Sequence, residues 1–247
     1  RLPLFSKVSQ SGNKPEIQLS EKFPKAVLHF NGIQYKEPEL AFSPKNAAMS
    51  VVPKDFHPMR GLKDNAPSDS GLTGHLYDEK INLGVICPRE DSQAFSKFLN
   101  QHNTIISSNN KNADYLIDYP GFFNVYKVSL NIPLVDSENW LTCPEPTIKS
   151  SLKETAFDLR DKIINRIDQQ IKNEVKKVIV IYIPDRWLSY TSFQEENEDF
   201  DLHDYIKAYC AEKGVATQFI QQDTINSVLQ CQINWWLSLS YYVKSLR

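Results

Sequence analysis

Runs of apolar residues, separated by polar segments, predict the strands of this chain. Residues 81–87 and 177–183 are almost continuously apolar, and each run ends at a proline, Pro88 or Pro184. Apolarity on both faces is typical of a parallel strand buried between two layers of helices. Shorter runs predict further strands at residues 115–119, 125–130 and 215–220.

Apolar residues at helical spacing predict helices between and after these strands. Phe95, Phe98 and Leu99 share one face of a helix that begins at Asp91 or Ser92. A charged pattern with apolar residues every three or four positions predicts an amphipathic helix over about 147–175. Two more helices are predicted over about 202–213 and about 224–247, with Gly214 after the first of them. Because strands alternate with helices, the fold class is α/β, with a Rossmann-like, doubly wound and mainly parallel sheet.

The composition changes near residue 79, which indicates two regions. Residues 1–78 are rich in Pro, Ser and Asn and contain only short apolar runs. They predict an N-terminal arm or linker made of strands and loops. Residues 79–247 predict the α/β domain.

Charge and composition exclude several classes of protein. The net charge is −2, whereas a protein that coats long duplexes usually carries a basic excess. Any nucleic-acid binding must therefore depend on a few well-placed donors. No apolar run reaches the length of about 18 residues that a membrane span requires, and the first residues lack the apolar core of a secretory signal. We expect a cytoplasmic location and no membrane partner.

The four cysteines are far apart in the sequence and have no CxxC spacing. This arrangement favours reduced thiols over a zinc site or disulfide bonds.

Motifs of common enzyme classes are missing from the sequence. There is no GxGxxG, GxxxxGK, HExxH or GxSxG pattern, so no dinucleotide site, P-loop, zinc protease or nucleophile elbow is predicted. The acidic run of residues 195–201 is interpreted as a solvated segment that faces away from any bound strand. We expect that this chain is not an enzyme and has no catalytic residues.

Four polar residues in the last third of the chain suit the binding of a terminal phosphate. His203 and Lys207 are four apart and share a helix face, Gln218 lies on the following strand, and Lys244 lies in the last helix. Two ammonium groups, an amide and an imidazole can surround one anion. A phosphate monoester carries more charge than an internal diester, which favours a strand end. Weaker second contacts are expected from Thr217, Gln221 and Thr224.

The order and spacing of these residues resemble the MID domain of Argonaute proteins, most closely the short prokaryotic Argonautes. That family holds the 5′ end of a guide with an aromatic or His residue, a Lys four later, a Gln about eleven or twelve further on and a Lys about 25 beyond. The family's strand around its glutamine is resembled by residues 216–221. The helix that leads into its PIWI domain is resembled by residues 234–244. Residues 60–64, 87–90 and 119–122 resemble its linker and early MID segments. The likeness is specific from about Val178 onward.

The resemblance implies a function, a site and a set of partners. The chain would anchor the 5′-phosphorylated end of a short guide, RNA rather than DNA, with His203, Lys207, Gln218 and Lys244. The guide would pair with complementary single-stranded DNA of an invader in prokaryotic defence, together with a PIWI domain in the same polypeptide and a TIR- or sirtuin-like APAZ effector subunit. The family's phosphate site can include a divalent cation, Mg²⁺, and the loop that carries Trp187 and Tyr190 is where the family inspects the first guide base.

The sequence also allows other interpretations of these residues and of the function. Each of the four residues also has an ordinary structural role available: a helix decoration, a solvated lysine, a strand amide or a partner of the helix dipole. Trp187 and Tyr190 fit a structural role equally well. At the level of function, the chain would alternatively be an Argonaute-like scaffold that docks an effector subunit without using the phosphate pocket. An enzyme acting on small nucleotides is a third reading, and no catalytic set supports it.

Overall fold

The computed structural model describes residues 5–11, 14–19, 38–44, 51–67, 80–108, 116–172, 177–195 and 198–246, with only the backbone described for the first two ranges. The chain divides into two compact units, residues 1–37 and 38–247. In the first unit, β1 (Phe5–Ser11) and β2 (Lys14–Leu19) form an antiparallel hairpin in which Val8 lies opposite Ile17. The remainder of the predicted arm lies partly outside the described residues, including residues 68–78.

The second unit begins with a small antiparallel pair and a short helix. β3 (Leu40–Ala41) pairs with β4 (Lys54–Asp55), and α1 (Pro58–Asp64) follows. Gly61 of α1 lies against the Phe42 ring, and a Cβ atom at this position would lie 2.1 Å from a ring carbon. Only glycine allows α1 to approach Phe42 this closely.

The remaining β-strands and α-helices are interspersed along the chain. They are β5 (Lys80–Cys87), α2 (Ser92–Asn100), α3 (Phe122–Tyr126), β6 (Ser129–Asn131), β7 (Trp140–Thr142), α4 (Leu152–Lys172), β8 (Lys177–Ile183), β9 (Ser192–Glu195), β10 (Glu198–Asp201), α5 (Leu202–Glu212), β11 (Ala216–Gln221), α6 (Gln222–Asn226) and α7 (Gln230–Ser245).

Five of these strands form the central sheet, in the order β11-β8-β5-β6, and every pairing is parallel. β7 pairs with the same edge of β5 as β6, but nearer its carboxyl end. β5 and β8 are therefore central strands, which explains why their sequences are apolar on both faces. The predicted α/β, Rossmann-like, doubly wound parallel sheet is confirmed.

Helices cover both faces of the sheet and make two hydrophobic cores. α2, α3 and α7 pack on one face, together with Val178, Val180 and Tyr182 of β8. α4 and α5 pack on the other face against the alternate residues of the same strand. Each fully buried aliphatic side chain contributes about 1.5–3 kcal/mol of hydrophobic free energy. The two cores hold the helices α5 and α7 on opposite faces of β11.

The prediction of a strand at residues 115–119 is wrong for the part of it that the structure describes. Residues 116–118 have no regular structure, and Tyr119 forms only an isolated bridge with Ile106. Side chains of α7 take the place of a neighbouring strand, because the Ile117 carbonyl accepts hydrogen bonds from Trp235 Nε1 and Cys231 Sγ. Tyr115 lies outside the described residues.

The predicted strand at residues 125–130 is wrong for residues 125–128 and correct only for Ser129 and Leu130, which belong to β6. Gly121 has a φ of +90°, and the chain then turns into α3, whose residues Phe122, Val125 and Tyr126 are all buried. Their spacing of three and four positions is that of a helix face. β6 starts only at Ser129.

Two further boundaries differ from the prediction. The last helix is divided into α6 and α7, because the Gln230 side chain donates to the carbonyl groups of Ile225 and Ser227 at 2.8 Å and so ends α6. The segment between β8 and α5 contains a 3₁₀ turn (Asp185–Tyr190) and the hairpin of β9 and β10.

Among the described helices, none combines the length and the apolar character needed to cross a membrane.

Candidate functional site

The predicted phosphate-binding residues gather around β11, the edge strand of the sheet. Among the described residues, β11 pairs with β8 alone, in a register that places Gln218 opposite Val180. An edge strand leaves a row of backbone groups without a partner strand. In this protein, side chains from α5, from α7 and from β11 itself contact three consecutive residues, 217–219.

Helix α5 contributes His203 and Lys207. The helix begins where it does because Asp201 Oδ1 accepts the Asp204 N–H at 2.9 Å, an ordinary N-cap. The His203 ring meets the Phe219 ring edge to face, with 5.1 Å between the ring centroids, and its side chain stays 55% exposed. One turn later, Lys207 Nζ donates to the Thr217 carbonyl oxygen at 2.5 Å.

Helix α7 contributes Lys244 on the other face of β11. Gln218 Oε1 accepts hydrogen bonds from Lys244 Nζ and from Ser240 Oγ, the latter at 2.8 Å. The Gln218 amide nitrogen donates in turn to the Phe219 carbonyl oxygen at 2.8 Å. Gln218 and Lys244, 26 residues apart in sequence, are therefore in direct contact.

The four residues meet the strand as two pairs, one from each face of the sheet. Lys207 donates to the carbonyl of Thr217 and Gln218 donates to that of Phe219. Residues two apart in a strand direct their carbonyl groups to the same side and lie about 6.6 Å apart. The Lys207 ammonium and the Gln218 amide therefore lie on one side of β11, within about 12 Å of each other. All four side chains are partly or largely exposed.

Chemically, this edge concentrates donors. Each of the two lysines donates to a neutral oxygen, and an ammonium group has three N–H donors on a flexible stem. A phosphate dianion that approached the carbonyl groups of Thr217 and Phe219 would come near the Lys207 ammonium and the Gln218 amide N–H, while His203 and Lys244 flank them on opposite faces of the strand. Such charge-assisted hydrogen bonds contribute about 1.5–3 kcal/mol each.

The three residues expected to make second contacts, Thr217, Gln221 and Thr224, differ in how exposed their side chains are. The Thr217 side chain is buried, at 3% exposure, so its carbonyl rather than its hydroxyl faces the site. Gln221 is exposed at the end of β11, and Thr224 is half-buried in α6 with its hydroxyl 3.4 Å from Asp223 Oδ1.

Trp187 is a core residue in this structure, and Tyr190 is half-buried. The Trp187 indole packs in the core beneath α4 and α5, is 1% exposed, and its N–H donates to Glu145 Oε2 at 2.5 Å. A nucleobase cannot reach a ring in this position without rearrangement. This burial favours the structural reading of Trp187.

A cluster of charges occupies the carboxyl ends of the central strands. Arg186, which follows β8, contacts Glu90 and Asp91 after β5 and Glu145 after β7, with N–O distances of 2.5–2.7 Å. Burial raises the pKa of Glu145, but the hydrogen bonds from Arg186 and Trp187 outweigh it and leave the pKa lowered. In open α/β sheets this crevice is the usual ligand site. In this protein the ion pairs of Arg186 lie in that crevice. The donors expected to bind phosphate lie one strand further out, at β11.

One cluster of possible ligand atoms among the described residues can be compared with the needs of Mg²⁺. Asp201, His203 and Asp204 each offer a ligand atom, and these atoms lie within 4.8 Å of one another. One of these carboxylates caps α5, another contacts His203 Nδ1 at 3.0 Å, and all three side chains are exposed. Mg²⁺ prefers a nearly octahedral set of oxygen ligands. The donor set does not fit that ion, and we assign no Mg²⁺ to it.

Sequence reasoning missed two residues that contact the site, Phe219 and Ser240. Phe219 packs against His203, and Ser240 holds the Gln218 amide. A signal for Ser240 was present, because it precedes Lys244 by four residues and so shares its helix face. Phe219 gives no such signal, since an aromatic residue in a strand usually indicates core packing.

Comparisons with known proteins do not assign the chain to a family. A scan against protein-family models gives no match, and a search of curated proteins gives none either.

Proposed function

We propose that this chain binds the 5′-phosphorylated end of a short guide strand at the edge strand β11. The observation that carries the proposal is the gathering of His203, Lys207, Gln218 and Lys244 around residues 217–219. The sequence order of these residues, which resembles that of the Argonaute MID domain, supports it from an independent direction.

The wider role follows from the resemblance. The guide is RNA rather than DNA, and it directs recognition of complementary single-stranded DNA from an invader in the prokaryotic cytoplasm. A PIWI domain in the same polypeptide carries the rest of the guide, and a TIR- or sirtuin-like APAZ subunit is the effector. This chain itself binds and does not catalyse.

Binding to strands with different ends tests the proposal. The protein is titrated with one short single-stranded RNA that carries a 5′-phosphate, a 5′-hydroxyl or a 3′-phosphate, and with the DNA version of the first strand. Several charge-assisted hydrogen bonds predict that the 5′-phosphate RNA binds at least about 100-fold more tightly than the 5′-hydroxyl RNA. The 3′-phosphate strand controls for total charge. Equal affinity for all the RNA strands contradicts the proposal.

One observation favours the rival function, a scaffold that docks an effector subunit. An apolar groove of about 330 Å³ lies between α1 and α7, with the side chains of Met59, Ile117, Trp235 and Trp236 among its lining. Trp236 is 64% exposed, and exposed aromatic surface of this kind marks many interaction sites. If the scaffold is the function, Trp236→Ser abolishes effector binding and the phosphate on the RNA has no effect.

A further inference from the structure

The side chain of Ser240 lies beside the Gln218 amide, at the end of the amide that carries its oxygen. Ser240 Oγ donates to Gln218 Oε1 at 2.8 Å, and Ser240 is half-buried on α7. The amide nitrogen points the other way and donates to the Phe219 carbonyl. The amide is therefore held at both of its ends.

We propose that Ser240 is a positioning residue of the site, which keeps the N–H₂ group of Gln218 turned toward the bound anion. This inference rests on the proposed function and adds a residue to it. An amide has a donor end and an acceptor end of almost the same shape. If the amide turned over, its oxygen would face the phosphate and its nitrogen would face the Lys244 ammonium, and both contacts would be repulsive.

The Phe219 carbonyl can only accept and so favours this orientation of the amide, as does the Lys244 ammonium, which contacts Gln218 Oε1. A phosphate dianion is a stronger acceptor than an amide oxygen, so it draws the ammonium toward itself. When the ammonium moves, the Ser240 hydroxyl, one turn before Lys244 on the same helix face, still contacts Gln218 Oε1 and keeps the amide in place beside the Phe219 carbonyl.

Three substitutions at residue 240 separate positioning from packing. Ser240→Ala removes the hydroxyl, Ser240→Thr retains it, and Ser240→Val matches threonine in shape without it. Each variant is titrated with the short RNA carrying either a 5′-phosphate or a 5′-hydroxyl, and the ratio of the two Kd values is measured. Loss of one hydrogen bond predicts that this ratio falls about 3- to 10-fold in the Ala and Val variants. Ser240→Thr keeps the wild-type ratio, and affinity for the hydroxyl strand changes little in all three.

A second measurement needs no ligand. The side-chain N–H₂ resonances of Gln218, identified by their loss in Gln218→Ala, are compared between the wild type and Ser240→Ala by NMR. We expect them to shift and broaden in the Ala variant, while the thermal midpoint of unfolding stays close to that of the wild type.

The outcomes distinguish the inference from the function on which it rests. If the wild type does not prefer the 5′-phosphate strand, the proposed function fails, whatever Ser240 does to the Gln218 resonances. If the wild type prefers that strand and all three variants keep its ratio, the positioning role is overturned. A loss in Ser240→Thr as large as that in Ser240→Val overturns it as well, because the hydroxyl would then have no role.

Discussion

At the scale of single residues, His102 is a buried histidine that the proposed site does not use. It is fully buried, Nδ1 lies 3.0 Å from the Leu99 carbonyl, and Nε2 has no hydrogen-bond partner among the residues that the structure describes. Its ring packs between Phe98 and Tyr241, the latter on the helix that carries Lys244. Burial lowers the pKa of His102 to about 4, against the opposing effect of its backbone hydrogen bonds.

This pKa predicts a pH dependence of stability. Between pH 4 and about 6.5 the unfolded chain binds a proton at His102 and the folded chain does not. The free energy of unfolding therefore falls as the pH is lowered through this window, by about 3 kcal/mol in total from this residue. Urea denaturation at a series of pH values measures the fall.

The variant His102→Asn isolates the contribution, because its amide N–H can still donate to Leu99. Carboxylates also affect stability in acid, so the quantity to compare is the difference between the wild type and the variant. That difference should depend on pH between 4 and 6.5. A constant difference across the window would show that His102 is not the group responsible.

At the scale of elements, Arg186 joins the carboxyl ends of three strands. It contacts the segments after β5 and β7 from its own position after β8. Without it, the carboxylates of Glu90, Asp91 and Glu145 would each lose the guanidinium group that they now share. Arg186 is 36% exposed, so solvent screens part of the interaction.

We expect Arg186→Gln to lower the free energy of unfolding by about 1–2 kcal/mol, since like charges then face each other. Adding Glu145→Gln should restore part of the loss, because it removes one carboxylate and leaves an oxygen for Trp187. Lys54→Gln, which breaks one exposed ion pair with Glu39, is the control and should change stability by less than about 0.5 kcal/mol. If Arg186→Gln is as mild as this control, the charge cluster does not hold the strands together.

The sequence predicted long elements better than short ones. β5 and β8 were identifiable because burial on both faces leaves an uninterrupted apolar run. The predicted strand at residues 125–130 overlaps the end of the five-residue helix α3, because Phe122, Val125 and Tyr126 complete barely one turn and show no repeated period. The prediction of a strand at residues 116–118 was wrong because the Ile117 carbonyl is bonded by side chains of a helix more than 110 residues away and not by a neighbouring strand.

At the scale of the whole molecule, the net charge of −2 means that affinity for a nucleic acid must come from one place. The sequence order could identify His203, Lys207, Gln218 and Lys244 as a set. It could not show that two of them contact each other, or that backbone carbonyl groups of an edge strand hold the other donors. Those contacts depend on the sheet order, which no local pattern encodes.

The phosphate site is tested most directly by measuring how much each side chain contributes to the preference for a 5′-phosphate over a 5′-hydroxyl. Lys207→Ala, Gln218→Ala and Lys244→Ala are each titrated with the same short RNA carrying a 5′-phosphate or a 5′-hydroxyl. Lys213→Ala, at the end of α5 with its ammonium over the Tyr209 ring, is the control. We predict that each site variant loses about 10- to 100-fold in affinity for the phosphate strand and less than about 3-fold for the hydroxyl strand. Equal losses for both strands, or a loss in Lys213→Ala as large as that in Lys207→Ala, would contradict the account.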